Sequence, residues 1–242
     1  MARRFFAKEE DIKQNEITIF GQEHFHLSKV LRVQVEDEIL ISTDKGNELE
    51  CSILKIAKDF TLCKILNKTK IEETLADVTV FQAVMKGEHM DFVVQKLTEL
   101  GVKKLVPFLS KFVVVKTDDK KSERFQRISF EACKQSNRKI PMQISKVLTF
   151  ETMLETLKNY EQKILAFEGA KNSAKEILSG LDKNKSTALI IGSEGGFSQE
   201  EVLKLESIGA KIISLGKTIL RGETASLALA SVVLYEFDKW SI

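Results

Sequence analysis

The sequence predicts an α/β protein in which a small β-rich unit precedes a larger unit built on a mainly parallel sheet. Residues 38–66 hold three short runs of alternating apolar residues separated by tight turns. From Val78 onward, buried-strand runs alternate with helical patterns. The charged stretch Asn67–Asp77 interrupts both patterns and places the boundary between units at 1–70 and 71–242.

Within the first unit, His26–Arg32 has helical spacing. Glu38–Thr43 then runs into the turn Asp44-Lys45-Gly46-Asn47. Glu48–Ile56 alternates at period two, Lys58-Asp59 is a second turn, and Phe60–Leu66 is a third strand. Period-two alternation buries one face of each strand. Short antiparallel strands with tight turns close most simply into a small barrel. In the second unit, strands are expected at Val78–Val84, Lys104–Phe108, Ile164–Phe167, Thr187–Ile191 and Lys211–Leu215. Met90, Val93, Val94, Leu97 and Leu100 sit at helical spacing before a capping Gly101, and further helical patterns cover 119–137, 149–159, 173–179 and 198–208. Strands that alternate with helices imply a parallel sheet covered on both faces. The last helix, Ala225–Phe237, is apolar almost all round. Such a helix is either threaded into the core or covered by another subunit.

The chain has 242 residues, 43% hydrophobic and 30% charged, which suits a folded protein and excludes a disordered one. No apolar run approaches the roughly 20 residues that span a bilayer. Arg3 and Arg4 are not followed by the apolar stretch of a signal peptide. Cys51, Cys63 and Cys133 are too few and too dispersed for a disulfide framework, so a cytoplasmic protein with reduced thiols is expected. His24, His26 and His89 show no metal-site spacing with them, and no metal is expected. The net charge is only +2, yet residues 85–146 carry 14 Lys+Arg against 7 Asp+Glu. That strip is either a solvated helical face or a surface for a polyanion.

Two loops stand out near the C-terminus. Ile190-Ile191-Gly192-Ser193-Glu194-Gly195-Gly196-Phe197-Ser198 and Leu215-Gly216-Lys217-Thr218-Ile219-Leu220-Arg221-Gly222-Glu223 each break from an apolar run into glycines and lead into a helix. That is the strand–loop–helix arrangement in which backbone amides meet a ligand. Neither carries a Walker lysine or a G-x-G-x-x-G. A third loop, Ala166-Phe167-Glu168-Gly169-Ala170, ends another strand and should complete the pocket. Gly195 is expected where backbone meets ligand.

Five ordered segments resemble the signatures of the RsmE-type methyltransferases of the SPOUT superfamily. They are His26–Arg32, Lys86-Gly87-Glu88-His89-Met90-Asp91 running into Gln95–Gly101, Glu131–Arg138, and the two glycine loops. The pattern departs at Ser193, where proline is usual, and at Lys111 and Thr218, where arginine is usual. The resemblance covers essentially the whole chain. It implies a PUA-like N-terminal β-barrel, a C-terminal α/β trefoil-knot (SPOUT) domain, a homodimer, and S-adenosyl-L-methionine as cofactor. The activity it implies is methylation of N3 of a specific uridine in 16S ribosomal RNA, free or in the small subunit. The implied cofactor set is Phe167, Glu168, Ile191, Gly192, Ser193, Gly195, Gly196, Leu215, Gly216 and Leu220.

Uracil N3 is a poor nucleophile until its proton leaves and charge spreads to the flanking carbonyls. Arg221 is the candidate cation beside those oxygens, and Glu223 and Glu194 are candidate proton acceptors. The plainer reading of Arg221-Gly222-Glu223 is a helix N-terminal turn. Arg3, Arg4, Lys29, Arg32, Lys86 and Arg138 are candidate RNA contacts. The competing readings are a knotted methyltransferase with another target atom, such as a tRNA ribose hydroxyl, and a non-catalytic RNA-binding module. A metabolic nucleotide-binding enzyme is disfavoured by the missing phosphate motifs.

Overall fold

The computed structural model describes residues 4–71, 76–113 and 119–239. The chain divides into two compact units, one of residues 1–73 with 133–141 and one of 74–132 with 142–242.

The first unit is a six-stranded sheet of β1 (Arg4–Ala7), β2 (Ile12–Lys13), β3 (Glu16–Phe20), β4 (Glu38–Thr43), β5 (Asn47–Ile56) and β6 (Phe60–Lys70). Its order is β1-β4-β5-β6-β3-β2, so the strand pairing is that of an open sheet with β1 and β2 at its edges. Only β1 and β4 pair in parallel. The period-two pattern acts as expected on β5, where Leu49, Cys51 and Ile53 are buried and Glu50 is exposed. Together with Phe5, Ile17, Ile19 and Ile41 they form the core of this unit. The expected helix at 26–32 is displaced. A short α1 (Gly21–Phe25) comes first and continues as a π turn over His26–Val30, in which the Leu31 N–H donates to the His26 carbonyl at 2.9 Å. The wider turn lets Leu27 and His24 both point inward, where the imidazole meets the Thr61 hydroxyl at 2.8 Å.

The second unit is a six-stranded sheet in which every pairing is parallel, in the order β12-β10-β11-β7-β8-β9. Its strands are β7 (Val78–Ala83), β8 (Lys104–Phe108), β9 (Gln143–Ile144), β10 (Gln162–Ala166), β11 (Thr187–Ile191) and β12 (Lys211–Ile213). The helices are α2 (His89–Leu100), α3 (Asp119–Ser136), α4 (Phe150–Leu157), α5 (Ala174–Ser179), α6 (Gln199–Ser207) and α7 (Gly222–Glu236). Every residue of β7 and of β11 is buried, as both-face coverage requires. Val78 and Val80 face a cluster with Val93 and Leu97 of α2 and Leu229 and Val233 of α7. Phe81 and Ala83 face the opposite cluster with Phe150, Met153, Val202 and Leu205 of α4 and α6. Burying a side chain such as Leu97, which is fully enclosed, contributes about 1.5–3 kcal/mol.

Helix α7 answers the question that its composition raised. One face, with Ser226, Leu229, Ala230, Val233 and Leu234, is buried, while Val232 and Tyr235 are exposed. It begins three residues earlier than the apolar pattern suggests, so Arg221 is its N-cap and Glu223 lies in its first turn. After β12 at the sheet edge, the chain returns past β10 to lay α7 against α2, β7 and β11. The crossing is tight. A Cβ on Gly222 would lie 2.8 Å from Met85 Sδ and 3.2 Å from the Gly192 carbonyl oxygen, which is why a glycine stands there.

Candidate active site

The sheet order makes β12, β10 and β11 neighbours, so their three carboxyl ends release adjacent loops. In open α/β sheets such an edge is where ligands bind. The loops enclose a cleft of about 100 Å³ lined by Phe167, Glu168, Ile191, Gly192, Ser193, Gly196, Leu215, Gly216 and Leu220 among others. An adjoining cleft of about 430 Å³ shares Glu168, Ser193, Gly196, Ile219, Leu220 and Gly222 with the first and adds His89, Glu194, Gly195, Arg221 and Glu223. Every residue expected to hold a cofactor therefore lines one of two contiguous clefts, and the three candidate catalytic residues line the larger.

The first loop is shaped by a turn in which the Gly196 N–H donates to the Ser193 carbonyl at 3.0 Å. Behind it, the buried Gln82 of β7 donates from Nε2 to the Gly192 carbonyl at 2.9 Å and to the Ala83 carbonyl at 3.0 Å. On its far side, Ser198 and Glu201 form a reciprocal capping box at the start of α6, and Glu201 Oε1 also accepts the Lys111 N–H at 2.8 Å. These bonds fix both ends of the loop. The Ser193 hydroxyl is buried and has no hydrogen-bond partner among the described residues, although it lines both clefts. An orphaned hydroxyl in a polar cleft suits a ligand with its own donors and acceptors.

Gly195 lines the larger cleft, and a Cβ there would lie 2.8 Å from Phe112 Cβ, so the packing of this aromatic side chain also requires a glycine.

The three catalytic candidates differ in how free they are. Glu194 accepts the Lys86 N–H at 2.9 Å, so one of its oxygens is engaged. Glu223, with a side chain 13% exposed, has an oxygen 3.4 Å from His89 Nδ1. Arg221 is exposed and makes no ion pair among the described residues. No Arg221–Glu223 pair closes the helix start. Two residues that the sequence reading missed belong to this site. Gln82 had a signal, as a lone amide in an apolar strand run. His89 lies in one of the family-like segments, but its position opposite Glu223 was not legible, because it depends on α2 and α7 packing together.

The RNA candidates scatter. Arg3 lies outside the described residues. Lys29, Arg32 and Lys86 are exposed, with Arg32 at φ +51. Arg4 bonds Glu48 at 2.5 Å and the Ser42 hydroxyl at 2.6 Å, and Arg138 is only 6% exposed, so neither is a free surface cation. The basic strip is also partly spent, since Lys96, Lys103, Arg124 and Lys134 pair with Glu99, Asp77, Asp91 and Glu23.

A parallel α/β sheet with a ligand cleft over adjacent strand ends, and with three carboxylates and an arginine that makes no ion pair among the described residues on its wall, defines a protein that binds a small molecule next to acid–base groups. Residues 72–234 match the model of the RNA methyltransferase domain family. The ribosomal RNA small subunit methyltransferase E of Bacillus subtilis (strain 168) is 31% identical over 231 residues, covering 91% of this chain and 90% of the relative. The protein of the same name from Mesomycoplasma hyopneumoniae (strain 232) is 31% identical over 230 residues, covering 93% and 96%. A solved ribosomal RNA small subunit methyltransferase E from Neisseria gonorrhoeae, bound to S-adenosyl methionine, superposes with a TM-score of 0.79 at 25% identity, over 97% of this chain and 98% of that one. The chain belongs to the ribosomal RNA small subunit methyltransferase E family of RNA methyltransferases.

Proposed function

We propose that this protein is an S-adenosyl-L-methionine-dependent methyltransferase that modifies N3 of a specific uridine in 16S ribosomal RNA. The observation that carries the reading is the contiguity of the two clefts, which sets a glycine-walled pocket directly beside Arg221, Glu223 and Glu194. The names of the curated relatives and the cofactor bound by the solved neighbour agree with it. S-adenosyl-L-methionine would supply the methyl group already activated as a sulfonium. This chain then has to position the base and manage charge. The loops at 167–168, 191–196 and 215–220 hold the cofactor, with the Ser193 hydroxyl available to one of its polar groups. Arg221 offers its guanidinium to the uracil carbonyl on which negative charge gathers as the N3 proton leaves.

The same reading makes the first unit a PUA-like RNA-binding module, in which Lys29 and Arg32 meet phosphates; in the second unit, Lys86 is a further phosphate contact. It makes the return of the chain from β12 to α7 part of a SPOUT trefoil knot; the tight passage of Gly222 beside Gly192 supports this. A homodimer forms over the outer face of α7, where Val232 and Tyr235 are 42% and 67% exposed. A ribosomal substrate places the protein in the cytoplasm. No helix of the described residues is long and apolar enough to cross a membrane.

The test is cofactor titration by calorimetry, followed by nucleoside mass spectrometry of 16S RNA and small subunits treated with enzyme and S-adenosyl-L-methionine. A base-methylated uridine that releases methylated uracil is expected. A methyl on the ribose, or cofactor binding without transfer to any ribosomal substrate, would overturn the assignment.

A further inference from the structure

The larger cleft contains a pair that the chemistry above leaves unused. His89 opens α2 and Glu223 lies in the first turn of α7, and the packing of these two helices brings Nδ1 and Oε1 to 3.4 Å on the cleft wall. The two groups are unequal. Glu223 is 13% exposed and lies in the first turn of α7, held on the wall of the cleft. The His89 side chain is 45% exposed to the cleft and its second nitrogen is not used in any hydrogen bond among the described residues. At 3.4 Å the pair is an ion-pair contact and not a formed hydrogen bond; on closing to hydrogen-bond distance, a neutral imidazole would donate from Nδ1 to the carboxylate and present Nε2 as a base, and the carboxylate would steady the imidazolium that forms. The other charged groups on the wall are Glu168, Glu194 and Arg221. Glu194 is tied to the Lys86 N–H, and Arg221 carries no exchangeable proton vacancy near neutral pH.

We infer that His89, oriented by Glu223, is the base that takes the N3 proton of the target uridine. The proposal rests on the function proposed above. The N3–H bond breaks, its electron pair stays on N3, and the proton passes to Nε2 of His89. N3 is then the nucleophile for the methyl, and the imidazolium gives its proton to bulk water through the exposed side of the cleft. Glu223 acts as a positioning residue.

Two measurements on the full-length protein test this. The first is the imidazole tautomer, read from nitrogen-15 NMR shifts without cofactor or RNA, with the His89 resonance assigned by its loss in His89→Gln. Glu223→Gln should reduce the share of the tautomer protonated at Nδ1, and an unchanged tautomer ratio would overturn the pairing. The second is single-turnover methylation between pH 5.5 and 9. Wild-type rate should fall on the acid side, where the base is protonated. His89→Gln should be slower by about a hundredfold or more and lose that limb, with S-adenosyl-L-methionine affinity within about twofold of wild type. His89→Arg keeps a cation beside Glu223 but cannot accept a proton, so it should be as slow. An arginine variant with wild-type turnover would show that His89 serves only as a charge partner and would refute the base role. If wild-type enzyme leaves no N3 mark, the function assigned above fails and this inference fails with it. An N3 mark made at an unaltered rate by His89→Gln overturns this inference alone.

Discussion

Gln82→Leu is the substitution whose consequence the structure fixes most closely. Gln82 is fully buried on β7, and its amide nitrogen is the donor to both the Gly192 and the Ala83 carbonyls. Leucine nearly matches glutamine in volume, so no cavity opens and packing changes little. The loss is polar. Two hydrogen bonds worth about 0.5–1.5 kcal/mol each disappear, and the Gly192 carbonyl is left in a buried place without this donor at a cost of about 1–3 kcal/mol. Part of this is recovered, because Gln82 Oε1 is itself buried without a partner among the described residues and leucine removes it. A net loss of about 2 kcal/mol follows. If the loop keeps its shape, the whole amount appears as stability, and at about 2–4 °C per kcal/mol the melting temperature falls by about 4–8 °C. If the peptide at Gly192 turns to find another partner, stability is largely kept. The pocket then loses its form, and 2 kcal/mol corresponds to about a thirtyfold weaker affinity for S-adenosyl-L-methionine. Calorimetric melting of the free protein and calorimetric titration of the cofactor, on the same preparation, partition the loss. A variant with wild-type melting temperature and wild-type affinity would refute the claim that this side chain holds the loop.

Ser193→Ala should weaken S-adenosyl-L-methionine binding by up to about tenfold while leaving the free protein as stable as before or slightly more so, because the buried hydroxyl has no partner among the described residues; titration and melting check the two halves. Glu201→Ala removes both the α6 capping box and the acceptor for the Lys111 N–H, and a loss of about 1–2 kcal/mol in denaturant unfolding is expected. Burial raises the Glu9 pKa, but hydrogen bonds from Lys68, Thr43 and Asn47 outweigh it and hold the carboxyl at about 2, against 4.5 in the unfolded chain. A depressed folded value stabilises above pH 4.5 and the benefit drains away as pH falls toward 2. Glu9→Gln should therefore show a shallower loss of melting temperature across that window than wild type, and parallel acid melting curves would contradict the assignment.

The sequence by itself determined the class and most of the elements, but not β1, β2, β3, α1 or β9, which no pattern along the chain placed. Period-two alternation on β5, the capping Gly101 and the strand–helix repeat from Val78 onward are local signals, set by which face of each element must be apolar, and the strands and helices stand within a few residues of where those signals place them. The glycine loops were legible for the same reason, because their punctuation lies within a single stretch of chain. Tertiary structure alone decided the rest. The order β12-β10-β11 brings three loops to one edge, residues 133–141 group with the first unit, and Arg138 is buried although its sequence context reads as surface. Gly195 lacks a side chain because Phe112, remote in sequence, packs against it. His89 meets Glu223 only because α7 returns from the sheet edge to lie on α2. Such contacts join residues separated by dozens of positions, and no periodicity along the chain encodes them, since they follow from how whole elements bury their apolar faces together.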